Sequence, residues 1–240
     1  MKNIVIIGGA NGVGKAIAKM FMGNNILLVD VDVKHLTETA SSLCCKYLVC
    51  DVCDPCTVKD VRAYVLRHEF NIDTLIICSG LWSRGKISNI YESEVAKMNS
   101  PERVARVVES NSFATMALIM QLTPLLSQNA GNQIIVVNAT SGLDIDEDSP
   151  VYSAAMHSVS VFCKAIQKDL ASIGKGVRLT NIYAGKIATN FQARVNDRMT
   201  EMEKERSLTA EDIAKTVLNI MSMPADVAIP SIELRKMSNF

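Results

Sequence analysis

The sequence predicts an α/β fold: a doubly wound parallel sheet of about seven strands with helices on both faces. Three observations predict it. Short apolar segments alternate with longer amphipathic ones, with no linker or internal repeat between them, which is the pattern of βαβ crossovers. The first segment, Ile4–Ile7, is four β-branched residues in a row, as in a strand buried on both faces. And 240 residues suit a single large domain over 1–240.

The elements follow in order. Strand Ile4–Ile7 runs into a glycine turn and a helix at Lys15–Met22, whose apolar Ala16, Ile17, Ala18 and Phe21 give it a packing face. Strand Ile26–Val29 precedes a helix at Lys34–Leu43. Strand Tyr47–Cys50, within Lys-Tyr-Leu-Val-Cys, reads as buried and precedes a helix over Thr57–Phe70 that Cys56 opens. Strand Thr74–Cys78 is followed after a long interval by one helix over Pro101–Ser127. Strand Ile134–Asn138 precedes an amphipathic helix at Tyr152–Ile173. Strand Arg178–Tyr183, a helix at Ala210–Met221 and strand Ile232–Arg235 close the chain. The stretch Asn190–Ser207 reads as a charged, solvated helix forming a lid.

Bulk properties narrow the function. Twenty-five basic residues balance 25 acidic ones, so no basic excess points to nucleic acid. No apolar run approaches the ~18 residues of a membrane span. A strand beginning at residue 3 leaves no room for a signal peptide, and a cytoplasmic protein is expected. Seven cysteines, an odd number, read as reduced thiols. Cys50, Cys53 and Cys56 have a spacing that metal sites use. A cysteine within a strand serves as a small hydrophobe, however, so no metal is expected.

Ligands of such sheets bind at the carboxyl ends of the strands. Gly8, Gly12 and Gly14, spaced G-x-x-x-G-x-G around Asn11 and Val13, let the backbone approach a ligand. They aim the N–H groups of a helix N-terminus at a phosphate. The unit therefore predicts a dinucleotide site. Asp30, 22 residues past Gly8, suits the adenosine ribose hydroxyls and would repel a 2′-phosphate. No arginine or lysine directly follows the strand, so NAD(H) is expected over NADP(H). Asp32 is the rival acid. Asp51 and Val52 end the third strand, where an adenine amino group would lie. Ser79 and Gly80 end the fourth, where a small residue lets a cofactor pass. After the fifth strand come Asn138-Ala139-Thr140-Ser141-Gly142, and Tyr152 follows Ser141 by 11 residues. A serine and a tyrosine brought to a cofactor site could orient and protonate a carbonyl oxygen.

On these motifs the chain resembles the short-chain dehydrogenase/reductase family over nearly its whole length. Ile-Gly-Gly-Ala-Asn-Gly-Val-Gly is similar to the family's T-G-x-x-x-G-x-G turn, and Cys-Asp-Val-Cys-Asp-Pro to its adenine-site segment with Asp51 in place. The resemblance implies a Rossmann-type fold and a nicotinamide cofactor. It implies that Tyr152 is the acid/base, Ser141 the orienting hydroxyl (Thr140 in an alternative register) and Asn111 the anchor of a proton-relay water. Asn-Ile-Tyr-Ala-Gly-Lys-Ile-Ala-Thr resembles N-x-x-P-G-x-x-x-T, so Gly185, Ile187 and Thr189 would contact the cofactor. A homodimer or homotetramer through the helices at 101–128 and 152–173 is implied as well.

The chain departs from the family in three places. Ile77-Cys78-Ser79-Gly80 stands for Asn-Asn-Ala-Gly. The interval from Gly80 to Asn111 is longer than usual, and Trp82 and Arg84 within it read more readily as surface loop than as pocket. Most consequentially, Tyr-x-x-x-Lys is Tyr-x-x-x-Met, with Met156 in the lysine's place. Residues i and i+4 share a helix face, so residue 156 lies beside Tyr152. An unperturbed tyrosine has a pKa near ~10, and lowering it three units takes about 4 kcal/mol of electrostatic help. A thioether supplies none. His157 points about 100° away around the helix, and Lys164 is too far along it. The expectation is an NAD(H)-dependent oxidoreductase of a small alcohol or carbonyl, impaired by Met156. The alternatives are a non-redox relative (a cofactor-binding regulator, or a cyclase or dehydratase using the same cavity) and an enzyme disabled by one lysine-to-methionine change.

Overall fold

The computed structural model describes residues 1–86, 100–126, 131–173, 176–189, 191 and 199–239. Seven strands, β1 (Asn3–Ile7), β2 (Asn25–Asp30), β3 (Lys46–Val49), β4 (Thr74–Ile77), β5 (Gln133–Ala139), β6 (Arg178–Ala184) and β7 (Ser231–Leu234), form one parallel sheet in the order β3-β2-β1-β4-β5-β6-β7. The order reverses between β1 and β4, and a ligand crevice opens beyond the carboxyl ends there. The α-helices of the described residues are α1 (Gly12–Met20), α2 (Val33–Leu43), α3 (Pro55–Arg67), α4 (Pro101–Val108), α5 (Ala114–Leu122), α6 (Pro150–Ile173), α7 (Glu201–Glu205) and α8 (Ala210–Ser222).

The β-branched run of β1 is buried because helices cover both faces. Val5 and Ile7 face Val58, Val61 and Val65 of α3 and Leu118, Ile119 and Leu122 of α5. Ile4 and Ile6 face Ile17 and Ala18 of α1, Leu36 of α2 and Val217 and Ile220 of α8. Each such side chain contributes about 1.5–3 kcal/mol by leaving water, so the centre of the sheet is the rigid base of the crevice. No helix among the described residues is long and apolar enough to cross a membrane.

Several boundaries differ from expectation. β3 is not a buried strand but an edge, paired to β2 alone. Tyr47 and Val49 are exposed, and only Cys50, just past the strand, is buried. α3 begins at Pro55 because Asp54 accepts the Cys56 N–H at 2.8 Å, an N-cap followed by proline at the first helical position. The helix expected over 101–127 is interrupted by a π-turn at Glu109–Phe113 and ends at Leu122, before a 3₁₀ turn containing Pro124. The prolonged interval after Gly80 falls largely on 87–99, and part of the lid on Asn190 and 192–198, outside the described residues; α7 is the helical portion of the lid's described part.

Candidate active site

One groove of about 1140 Å³ runs along the carboxyl edge of the sheet. It starts at the glycine turn. The Gly8 N–H and the Gly9 N–H both donate to Val29 O, at 2.8 and 3.2 Å, which ties the turn to β2. A Cβ on Gly14 would sit 2.1 Å from Gly8 O, and one on Gly8 (φ +83°) 2.7 Å from Ser79 N. Gly12 (φ +51°) faces the Thr189 side chain, 3.5 Å from where its Cβ would be. Asn11, at the N-cap of α1, makes no capping bond; its Nδ2 donates to Asp32 Oδ2 at 3.2 Å instead. The first turn of α1 is thereby left to a ligand, and an anion is what such a helix end favours. Ser79 adds a buried hydroxyl without a partner among the described residues. These features fit a dinucleotide phosphate bridge between Gly12, Val13 and Thr189.

At the end of β2 the Asp30 carboxylate accepts the Ala10 N–H (3.0 Å) and the Asp32 N–H (3.1 Å). It lines the groove while bracing the glycine turn. Asp32 caps α2, accepting the His35 N–H, and lies 2.7 Å from His35 Nδ1. At the end of β3, Asp51 is less free than the sequence implies. It accepts from Arg106 Nη2 at 2.8 Å and from the Cys53 N–H at 3.1 Å. Burial raises its carboxyl, but these bonds outweigh burial and hold it below the ordinary range. Val52 lies beside it in the groove wall. Gly185 and Ile187, after β6, line the opposite side, and Ile187 bridges to Leu208.

The cysteines contribute no cluster: among the described residues no three His, Cys, Asp or Glu side chains gather as a metal site would need. Cys50 Sγ donates to Thr57 O at 3.1 Å, and burial pushes the Cys53 thiol up to about 11, away from the thiolate a metal requires. Elemental analysis of protein purified without chelators is expected to find substoichiometric zinc and iron. A stoichiometric metal lost on Cys53→Ser would overturn that.

The far end of the groove gathers the residues of interest from three elements. Ser141 lies in a 3₁₀ turn, Thr140–Gly142, directly after β5. A polar network that sequence reading does not reveal holds that turn. Asn138 Nδ2 donates to Met156 O (3.2 Å) and Ser160 Oγ (3.1 Å), and Ser160 Oγ donates to Gly142 O at 2.9 Å. Tyr152 and Met156, one turn apart on α6, are 7 % and 6 % exposed and cluster with Val107. Leu81, Trp82 and Phe191 pack against this cluster. Met156 thus contributes hydrocarbon where a cation would act. Burial pushes the Tyr152 phenol above its ordinary value, and the charge of Asp146 adds to the rise.

Asn111 sits inside the π-turn with its side chain fully engaged. Oδ1 accepts the Leu81 N–H at 3.0 Å, and Nδ2 donates to Leu81 O (2.9 Å) and Val107 O (2.8 Å). A Cβ on Gly80 would lie 2.7 Å from Asn111 Oδ1, so Gly80 is required for this clasp. Arg103 Nη2 donates to Trp82 O at 2.6 Å. The segment after β4 is therefore fixed, and it delivers the Trp82 indole edge-on to the Tyr152 ring, 4.9 Å between centroids. Trp82 and Arg84 line the groove rather than a plain surface loop. The clasp from Asn111 and Arg103, distant in sequence, holds Leu81 and Trp82 there. At the mouth, Lys186 donates to Glu203 of α7 at 2.6 Å.

Comparison with known proteins agrees with this architecture. The family model described as short chain dehydrogenase matches residues 2–200. An uncharacterized oxidoreductase of Staphylococcus epidermidis is 24 % identical over 238 residues, covering 98 % of this chain and 96 % of the relative. One from Staphylococcus aureus is 23 % identical over 239 residues, covering 98 % and 96 %. Among solved structures, an alcohol dehydrogenase from the archaeon Thermococcus sibiricus complexed with 5-hydroxy-NADP aligns with a TM-score of 0.84 at 18 % identity, over 99 % of this chain and 97 % of that one. A serine dehydrogenase in its closed form, complexed with NADP+, aligns with a TM-score of 0.84 at 22 % identity, over 98 % and 95 %. With its sheet order, its glycine turn and a family match over most of its length, the chain belongs to the short chain dehydrogenase family.

Proposed function

We propose that the protein is an oxidoreductase acting on a small alcohol or carbonyl with NAD(H) as its cofactor. The observation that carries this reading is the continuity of one groove from the phosphate cradle at Gly8, Gly12 and Gly14 to Ser141 and Tyr152. When bound, the nicotinamide supplies the capacity to give or take a hydride. The chain's own residues do the rest. Ser141 orients the substrate oxygen, and Tyr152 gives it a proton or takes one from it. Asn111, clasped to Leu81, anchors the proton relay through its main chain. Gly185, Ile187 and Thr189 hold the cofactor's far side, with Val52 and Asp51 against the adenine. The experiment is direct: NADH oxidation measured against a panel of ketones and aldehydes. Turnover with none of them, despite cofactor binding, would favour a non-redox role, the reading that Met156 and the raised Tyr152 phenol support.

NAD(H) is preferred in this proposal because Asp30 places a carboxylate where a 2′-phosphate would lie. Calorimetric titration is expected to show NADH binding several-fold more tightly than NADPH, with Asp30→Ala narrowing the gap. Equal affinities in the unmodified protein would sink it. A cytoplasmic setting is supported by seven free cysteines. A homodimer or homotetramer is supported by the exposed Phe113, Met120 and Val161 on the π-turn, α5 and α6.

A further inference from the structure

The loop between the Ser141 turn and α6 carries four acids, Asp144, Asp146, Glu147 and Asp148. Three have cations against them. Arg235 reaches Asp144, Lys86 lies 2.6 Å from Glu147 and 3.4 Å from Asp148, and Arg84 lies 3.8 Å from Asp148. Asp146 forms no ion pair among the described residues. Its Oδ1 accepts the Asp148 N–H at 3.1 Å, which leaves Oδ2 for a ligand. It is half-buried and lines the groove. It is also close enough to Tyr152 for its charge to act on the phenol. Ser149 lines the same wall, is 2 % exposed, and keeps a buried hydroxyl with no partner among the described residues. Trp82 and the Tyr152 ring form the aromatic side of this corner.

A substrate entering here strips water from the Asp146 carboxylate. A neutral molecule would leave that charge desolvated and unpaired, and an anionic one would be repelled. A protonated amine answers both groups, donating to Asp146 Oδ2 and Ser149 Oγ while its charge meets the aromatic faces. We propose that Asp146 determines specificity in this groove and that the substrate carries a protonated amine beside its reacting alcohol or carbonyl carbon. The proposal rests on the oxidoreductase reading for the reacting group, and on the corner's own geometry for the amine. It also changes how the missing lysine is viewed. An ammonium held at Asp146 neutralises the charge that adds to the rise of the Tyr152 phenol, so the substrate brings part of the electrostatic help that Met156 withholds.

The chain's single tryptophan is Trp82, so its fluorescence reports on this corner alone. The protein, with and without NAD+, is titrated with isopropanolamine and with sec-butanol, its uncharged isostere. Fluorescence and calorimetry are read together. The amine is expected to bind about tenfold or more tightly at neutral pH, since a factor of ten corresponds to ~1.4 kcal/mol, and the preference is expected to shrink with salt. Asp146→Asn keeps the acceptor for the Asp148 N–H and is expected to erase the preference with an unchanged circular dichroism spectrum. Asp148→Asn, at a paired acid, is expected to retain it. Equal affinities for the two alcohols, no binding of the amine by either readout, or a preference that survives Asp146→Asn would each overturn the proposal. Oxidation of sec-butanol as readily as the amine would sink this inference and leave the proposed function standing. Tight amine binding with no NADH formed at any pH would do the reverse.

Discussion

Met156→Lys is expected to raise NADH-dependent turnover by about tenfold or more on any carbonyl that binds, because about 1.4 kcal/mol of barrier is a factor of ten. Tyr152 lies in an apolar cluster with Val107 and Met156, and burial together with Asp146 pushes its phenol up. Nothing on α6 pulls it back. Met156 lines the groove, so a lysine of similar length can extend its ammonium into that space rather than into the core. The charge would favour the phenolate and lower the phenol toward neutrality. The pH dependence follows. In the unmodified protein, alcohol oxidation needs the deprotonated phenol, so its rate is expected to climb with pH through the whole neutral and mildly alkaline range. In Met156→Lys the rise is expected to level off at lower pH. Adding Tyr152→Phe to the lysine variant is expected to remove the gain. Rapid turnover by the unmodified protein at neutral pH would show that another group stands in for the lysine. No gain in the variant, with NADH and substrate binding confirmed, would favour the non-redox reading.

Gly14→Ala is expected to abolish cofactor binding and to lower the melting temperature by several degrees. The added Cβ would lie 2.1 Å from Gly8 O and 2.9 Å from Gly8 C. Both are backbone atoms with no rotamer to escape by, so the start of α1 must move away from β1. Overpacking of this kind costs about 1–3 kcal/mol, and in a domain of this size each kcal/mol shifts the midpoint by about 2–4 °C. Gly23→Ala is the control. Gly23 has a positive φ, +90°, which Gly14 does not, and nothing lies within 4 Å of its Cβ position. That variant is expected to be destabilised by backbone strain of about 1–2 kcal/mol while binding NADH as before. Normal NADH affinity in Gly14→Ala would remove the glycine turn from the cofactor site.

The sheet was legible because its signal is local. A run such as Ile4–Ile7 has no polar face to leave in water, and each strand lies within two residues of where the pattern puts it. What required the third dimension was a strand's place in the sheet. Tyr47 and Val49 look like core in the sequence and are exposed because β3 has a neighbour on one side only. The groove's glycines and its Ser141, Tyr152 and Met156 were legible because turn chemistry and i,i+4 spacing are also local. Trp82 reads as surface loop in the sequence, and nothing local marks Asn138, Ser160, Arg106 or Asp146. Their roles come from contacts such as Asp51 with Arg106, or Asn138 with Ser160, between residues that no periodicity links. Asp146 left one trace, an acid-rich loop just ahead of Tyr152. Charge in a loop is ordinarily solvated, so the acids alone do not distinguish Asp146 from its neighbours.

The π-turn at Glu109–Phe113 amounts to one surplus residue in a helix, and it sets the rotational phase of everything upstream. Each α-helical residue advances the chain by about 100°. Excising one residue from 109–113 would therefore let α4 and α5 join as a continuous rod, at the cost of turning α4 by that angle. Arg103 and Arg106 would swing off Trp82 and Asp51, both of which they now hold, and one deletion would loosen the two ends of the groove together. In evolutionary terms this stretch should hardly ever change in length.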